Sequence, residues 1–203
     1  MNFDEDLIEQ VRQEAVWAYR SWEPDHIVVV LGRGNHADLE TWQEHCQEDR
    51  VPIIRRRGGG GTVVLSPGIL VISLVKRVQH QYHFHEYFQQ INTYLIEALT
   101  SLGMANVNQQ GYSDICIGDR KILGSSMYRS RDLLFYTASL MIANDLMLLD
   151  RYLKYPSKEP GYRKGRSHLE FVTTIELEYP ALSFEQIQQS VDSIVLQRIF
   201  EIE

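Results

Sequence analysis

The order of patterns along this chain predicts an α+β or mixed α/β domain built on a β-sheet. Two observations carry that expectation. Short β-branched apolar runs of strand length recur through the sequence, and a few long amphipathic patterns with helical spacing fall between them irregularly rather than one for one. The length of 203 residues fits a single domain of ordinary size, with 44% hydrophobic residues to fill its core.

Taken in order, Leu7, Ile8, Val11, Ala15 and Tyr19 recur at helical spacing, so residues 4–21 read as an amphipathic helix closed by Pro24. Residues 26–31 form a β-branched run, expected as a buried strand that ends at Gly32-Arg33-Gly34. Asp38 is placed to cap a short helix with Leu39, Trp42 and Cys46 on one face. Residues 53–56, 62–65 and 69–76 read as strands, punctuated by a glycine tract and by Pro67-Gly68. Residues 84–102 give the clearest helix, with Phe88, Ile91, Leu95, Ala98, Leu99 and Leu102 on one side and Gly103 stopping it. Residues 114–117 and 120–123 flank Gly118-Asp119, a tight hairpin turn, and 133–142 is apolar enough for another buried strand. Residues 155–167 make a basic, Pro/Gly-rich loop, the best candidate for a mobile lid. Ser183-Phe184-Glu185-Gln186 is a capping box opening a last helix with Ile187, Val191, Ile194 and Val195 inside.

Composition narrows the function classes. A net charge of −7 argues against broad nucleic-acid binding, so the cations should act locally. Cys46 and Cys116 stand alone without a CxxC pair, which suits a reducing cytoplasmic setting. The acidic start is unlike a targeting peptide, and no apolar run approaches the ~20 residues a bilayer requires. The expectation is a soluble cytoplasmic protein with neither nucleic acid nor membrane as partner.

Two motifs could carry chemistry. In Arg55-Arg56-Arg57-Gly58-Gly59-Gly60-Gly61-Thr62-Val63, three cations lead into four glycines between apolar runs. Glycine lets a ligand press on the main chain, and arginine offers a fork for carboxylate or phosphate, so the stretch reads as a strand–loop–strand wall gripping an anion. In Gly118-Asp119-Arg120-Lys121-Ile122-Leu123-Gly124-Ser125, Lys121 either reaches toward that ligand and stabilises charge on a reacting oxygen, or is a solvated edge lysine. Asp114 either binds magnesium or orients an incoming amine, or simply forms a turn. His80, His83 and His85 lack a carboxylate or cysteine at zinc spacing and read as the start of a helix, so no metal site is expected. Cys116 sits where a small buried hydrophobe belongs, and no GxSxG motif is present.

These residues together resemble the lipoate–protein ligase A family of the biotin/lipoate A/B protein ligase superfamily. Residues 27–33 (Ile-Val-Val-Val-Leu-Gly-Arg) resemble its opening strand and Gly-Arg turn. Residues 55–63 resemble its Arg-Arg-x-Ser-Gly-Gly-Gly-x-Val signature, and Gly111-Tyr112-Ser113-Asp114 its Asn-Asp step into a hairpin. Residues 118–125 resemble its Gly-Arg-Lys-x-x-Gly-Ser hairpin, while Val172-Thr173-Thr174-Ile175 and the capped last helix resemble the end of its large domain. The resemblance implies a mixed β-sheet flanked by helices, as in biotin ligase catalytic domains. It also implies ATP-driven activation of lipoate, octanoate or a related medium-chain acid as an acyl-adenylate, with Mg2+, then transfer to a carrier-domain lysine. The implied catalytic residue is Lys121. Arg56, Arg57, Gly58, Gly59, Gly60, Gly61, Val63, Ser113, Asp114, Gly124 and Ser125 are the implied substrate and nucleotide contacts. The implied partners are lipoyl domains of 2-oxoacid dehydrogenases or the glycine cleavage H protein. Because the chain stops where the large domain of the family stops, the accessory domain is expected to be missing, with room for a separate small accessory subunit.

Some positions depart from the family pattern. Gly58 stands where the signature has serine; Leu65, Ser66, Ile69, Ser113, Tyr136 and Thr137 replace other polar or ionisable residues, which predicts a more apolar acyl pocket. Two rival readings keep the fold: an octanoyl or lipoyl transferase working from an acyl-carrier thioester, and a noncatalytic module that binds a lipoyl or acyl ligand.

Overall fold

The computed structural model describes residues 4–13, 15–79 and 83–202. The chain opens with α1 (Glu5–Gln13), β1 (Trp17–Trp22) and β2 (Val28–Leu31), then α2 (Ala37–Glu40) and α3 (Gln43–Glu48). Strands β3 (Ile53–Arg55), β4 (Val63–Leu65) and β5 (Ile69–Arg77) precede the long helix α4 (Phe84–Ser101). Next come β6 (Val107–Gln110), β7 (Asp114–Ile117), β8 (Arg120–Ser130) and β9 (Leu133–Met141). Helices α5 (Met147–Tyr152), α6 (His168–Phe171), α7 (Ile175–Glu178) and α8 (Phe184–Arg198) close the described chain, with a 3-10 turn at Ile199–Glu201. No helix among these is long and apolar enough to cross a membrane.

The strands divide into two sheets. The larger runs β1-β5-β9-β8-β7-β6, with every neighbouring pair antiparallel. The smaller runs β3-β2-β4, where β2 is parallel to β3 and antiparallel to β4. The α+β class holds, and the mixed character is confined to the small sheet. The glycine tract is therefore no hairpin turn: β3 and β4 lie on opposite sides of β2, and residues 56–62 cross the end of that strand.

Period-two alternation gives the large sheet two different faces. On one, Leu70, Ile72 and Leu74 of β5 and Leu134, Tyr136 and Leu140 of β9 pack with Ile91, Leu95 and Leu99 of α4 and Ile187, Val191 and Val195 of α8. That is the main core. On the other face, directly opposed residues form transverse rows: Arg20, Ser73, Thr137 and Ser126 in one, and Trp22, Val71, Ser139, Gly124 and Asp114 in the next. The first row is polar throughout.

Several expectations need correction. The first helix ends at Gln13, and Trp17–Trp22 is a strand. Ala15 and Tyr19 matched a helical stripe, but the aromatic residues of 17–22 suit a pleated surface and pair along the whole edge of β5. Asp38 lies inside α2 rather than at its cap, which is His36 without a side-chain bond. A second helix begins after Trp42, so Leu39 and Trp42 are exposed and only Cys46 is buried. β6 and α5 to α7 have no counterpart in the sequence reading. Strand 120–123 extends to Ser130 because β9 supplies a partner for its full length. The 84–102 helix, its Gly103 stop at φ 85°, and the Ser183/Gln186 capping box stand as expected.

Candidate functional site

A cleft of about 180 Å³ opens between the polar face of the large sheet and the small sheet. Its wall carries Val30, Ile54, Val63 and Leu65, and its floor carries Ser73, Thr137, Ser126 and Ser139. The expected apolar pocket is thus half right. Leu65 contributes to an apolar wall, but Thr137 puts a hydroxyl on the floor, and Tyr136 turns to the other face to donate to Asn92 at 3.0 Å. The hydroxyls of Thr137 and Ser139 make no side-chain hydrogen bond among the described residues. Every residue singled out in the two glycine motifs lines this cleft except Gly59, and Ser113 and Asp114 join them.

The loop over the cleft is built by close approach. A Cβ on Gly32, at the end of β2, would meet the Gly60 carbonyl oxygen at 2.1 Å, so that glycine lets the loop settle on the small sheet. Gly60 itself has φ +88°, the left-handed region that favours glycine. Arg55 donates to the carbonyls of Gly32, Arg33 and Asn35, clamping the neighbouring turn. Arg56 lies beneath the loop and donates to the carbonyls of Gly59 at 2.6 Å, Gly61 at 2.7 Å and Val30 at 3.4 Å, and to Ser126 Oγ at 3.2 Å. Among the described residues no carboxylate pairs with it, and burial brings its pKa down to about 10, still charged at neutral pH. With the carbonyls drawn down onto Arg56, the amide N–H groups of Gly58, Gly59, Gly60 and Gly61 make no backbone hydrogen bond among the described residues. A fixed positive charge under free amides is a cradle for an anion. Arg57 is placed differently: it forms a two-pronged pair with Glu5 of α1, at 2.8 and 2.9 Å.

Across the cleft, Lys121 Nζ lies 2.8 Å from Asp114 Oδ1. The β7–β8 register shifts between Ile115 and Cys116, where β8 carries Ile122 as an extra residue next to Lys121, and Gly124, opposite Asp114, leaves room for the pair. A Cβ at 124 would sit 2.8 Å from that ammonium. Asp114 also accepts from Tyr162, at 2.6 Å, and from Ser113, at 3.2 Å. Ser125 uses its hydroxyl to hold the Ser113 carbonyl at 2.8 Å. The basic loop 155–167 is docked on this hairpin through Tyr162 and through Arg166, 3.0 Å from Asp119. Arg163 is buried, stacked on the rings of Tyr155 and Phe171.

Cys116 is fully buried, and burial pushes its thiol up to about 11, so it is protonated at neutral pH. His80 lies outside the described residues, and His85 stacks between Phe84 and Tyr112. Among the described residues no three His, Cys, Asp or Glu side chains gather as a metal site. Sequence reading missed Ser126, Tyr162, and two residues that line one side of the cleft, Asp4 just before α1 and Glu5 at its start. Asp4 is buried and accepts from Arg20, Trp22 and Ser73.

The profile of a family described as the lipoyl protein ligase A/B catalytic domain matches residues 1–194. A curated protein named lipoate–protein ligase, from Streptococcus pyogenes serotype M5 (strain Manfredo), is 26% identical over 173 residues, 83% of this chain and 50% of that protein. The chain therefore spans about half the length of the curated relative it matches. A crystal structure of lipoate–protein ligase A bound with ATP superposes with a TM-score of 0.83 at 19% identity, over 98% of this chain and 79% of that one. A bi-partite lipoate protein ligase from Thermoplasma acidophilum, described with its E2 lipoyl domain, gives 0.79 at 20% identity, over 91% and 71%. Both structural likenesses show a shared fold.

Proposed function

The chain belongs to the lipoyl protein ligase A/B catalytic domain family, and from that premise we propose that it activates lipoate or a related medium-chain acid with ATP and passes the acyl group to a lysine of a lipoyl domain. The observation that carries this reading is the pairing, on one cleft, of a lysine held by a carboxylate with a glycine loop whose amides make no backbone hydrogen bond among the described residues.

The chemistry follows from the parts. An acid carboxylate attacks the α-phosphorus of ATP, the acyl-adenylate forms, and pyrophosphate leaves. The free amides of Gly58 to Gly61, with the Arg56 charge beneath them, suit phosphate oxygens. Mg2+ would enter with those phosphates as their counter-ion. Lys121 faces the same space and would stabilise negative charge on the acyl and phosphate oxygens. In the second step the acceptor ε-amine attacks the acyl carbonyl and AMP leaves. Asp114, already a hydrogen-bond acceptor beside Lys121, would orient that amine. The docked loop carrying Tyr162 would help exclude water from the adenylate.

The transferase reading gains no support from Cys116, since a buried protonated thiol is a poor nucleophile. Intact-mass measurement of a lipoyl domain separates the readings. The domain is incubated with this protein and lipoate or octanoate, with and without ATP, and in parallel with an octanoyl-carrier thioester. A mass gain that needs ATP supports the ligase. A gain from the thioester alone would replace it with the transferase.

A further inference from the structure

Gly58 is glycine for space, not conformation. Its φ is not in the left-handed region. A Cβ built on it would stand 1.9 Å from Ser126 Oγ and 3.3 Å from Ser126 Cβ. The hydroxyl of Ser126, projecting from β8 in the large sheet, therefore occupies the volume into which a side chain on residue 58 would grow. From that place it donates to the Gly59 carbonyl at 3.1 Å and accepts from Arg56 Nε at 3.2 Å. Ser126 is 7% exposed, so water does not readily substitute for it.

We propose that Ser126 is a positioning residue for the anion-gripping loop, its hydroxyl reaching from the opposite sheet to do what a polar side chain at position 58 would otherwise do. Arg56 has one acceptor for Nε, and that acceptor is Ser126. The other Arg56 bonds run to loop carbonyls and to Val30, so the guanidinium alone cannot fix how the loop sits relative to Lys121 on β8. Ser126 makes that link, because it stands on the strand that carries Lys121 and Gly124. The serine of the family signature and the glycine of this chain then differ in which sheet supplies the hydroxyl. For catalysis the inference rests on the ligase reading above; for the order of the loop it does not.

The test is a cycle of four proteins: wild type, Gly58→Ser, Ser126→Ala and the double variant. Two readouts are taken, the rate of limited tryptic cleavage at the Arg57–Gly58 bond and the KM for ATP against kcat in pyrophosphate exchange. For Ser126→Ala we expect the loop to be cleaved about tenfold faster and KM for ATP to rise about tenfold with kcat changed less, as loss of one bond to a charged group implies. Gly58→Ser should be worse, from collision. The double variant should recover to within about threefold of wild type, since the new Cβ then has the space that the Ser126 hydroxyl leaves and carries a hydroxyl of its own into the loop. A double variant no better than Gly58→Ser, or Ser126→Ala with wild-type cleavage at Arg57–Gly58, would overturn the proposal. If Gly58→Ser fails to fold, a folded double variant supports the interlock and an unfolded one counts against it. Absence of pyrophosphate exchange in all four proteins, with the expected cleavage pattern, would remove the ligase reading and leave the interlock standing.

Discussion

Lys121 and Asp114 meet across the β7–β8 hairpin at 2.8 Å, directly over Gly124. The glycine is what makes the meeting possible, since any Cβ at 124 would lie 2.8 Å from the ammonium and 2.9 Å from Cε. Gly124→Ala should therefore push the lysine aside. The displaced atoms are the end of a flexible chain, so stability should fall by no more than about 1 kcal/mol while activity drops at least about tenfold. Thermal melting alongside a turnover assay checks this; equal activity in the variant would show that the lysine is not needed where it stands.

Asp114 holds Lys121, Tyr162 and Ser113 together. Asp114→Asn removes the charge that balances the ammonium while keeping an acceptor for the tyrosine. We expect a loss of about 1–3 kcal/mol in denaturant unfolding and a tenfold or greater drop in acyl transfer. Tyr162→Phe should cost less in both. The reverse order would assign the aspartate to anchoring the loop alone.

The Glu5–Arg57 pair ties α1 to the glycine loop. Hydrogen bonds from Arg57 hold the Glu5 carboxyl below its ordinary 4.5, outweighing the opposing effect of burial. A carboxylate depressed in the folded state adds stability that is complete above 4.5 and is lost as the pH falls through the lowered value. The difference in melting temperature between wild type and Glu5→Gln should thus be largest above 4.5 and shrink as the pH is taken below it. Parallel curves would mean the pair contributes nothing measurable, as many exposed pairs do.

Cys116 is a packing residue in this account. Cys116→Ala should keep acyl transfer within about threefold and cost about 1 kcal/mol of stability. Loss of transfer from an octanoyl-carrier thioester in that variant would restore the thiol as a nucleophile.

The glycine motifs were legible because they concentrate unusual residue types in short runs, and Lys121, Asp114 and the loop do share one cleft. The α+β class was legible from runs of strand length, although the split into two sheets was not: nothing local tells Ile53–Arg55 and Val63–Leu65 to flank Val28–Leu31. Trp17–Trp22 was misread because six residues can satisfy a helical stripe and a strand alternation at once, and only the edge of β5 decides between them. Ser126 was invisible for a different reason. Its role depends on a cross-sheet distance to Gly58, which no pattern local to either residue shows. Tyr162 shares that fate, a loop residue whose importance comes from the carboxylate it reaches.

The central claim is that Lys121 and the glycine loop form an acyl-adenylate site. It is tested most directly by ATP–pyrophosphate exchange on the folded protein with lipoate and octanoate, in wild type and Lys121→Ala. The account predicts acid-dependent exchange in wild type and a fall of about a hundredfold or more in the variant at an unchanged melting temperature. Exchange that survives loss of Lys121, or its absence from folded wild type with either acid, would contradict it.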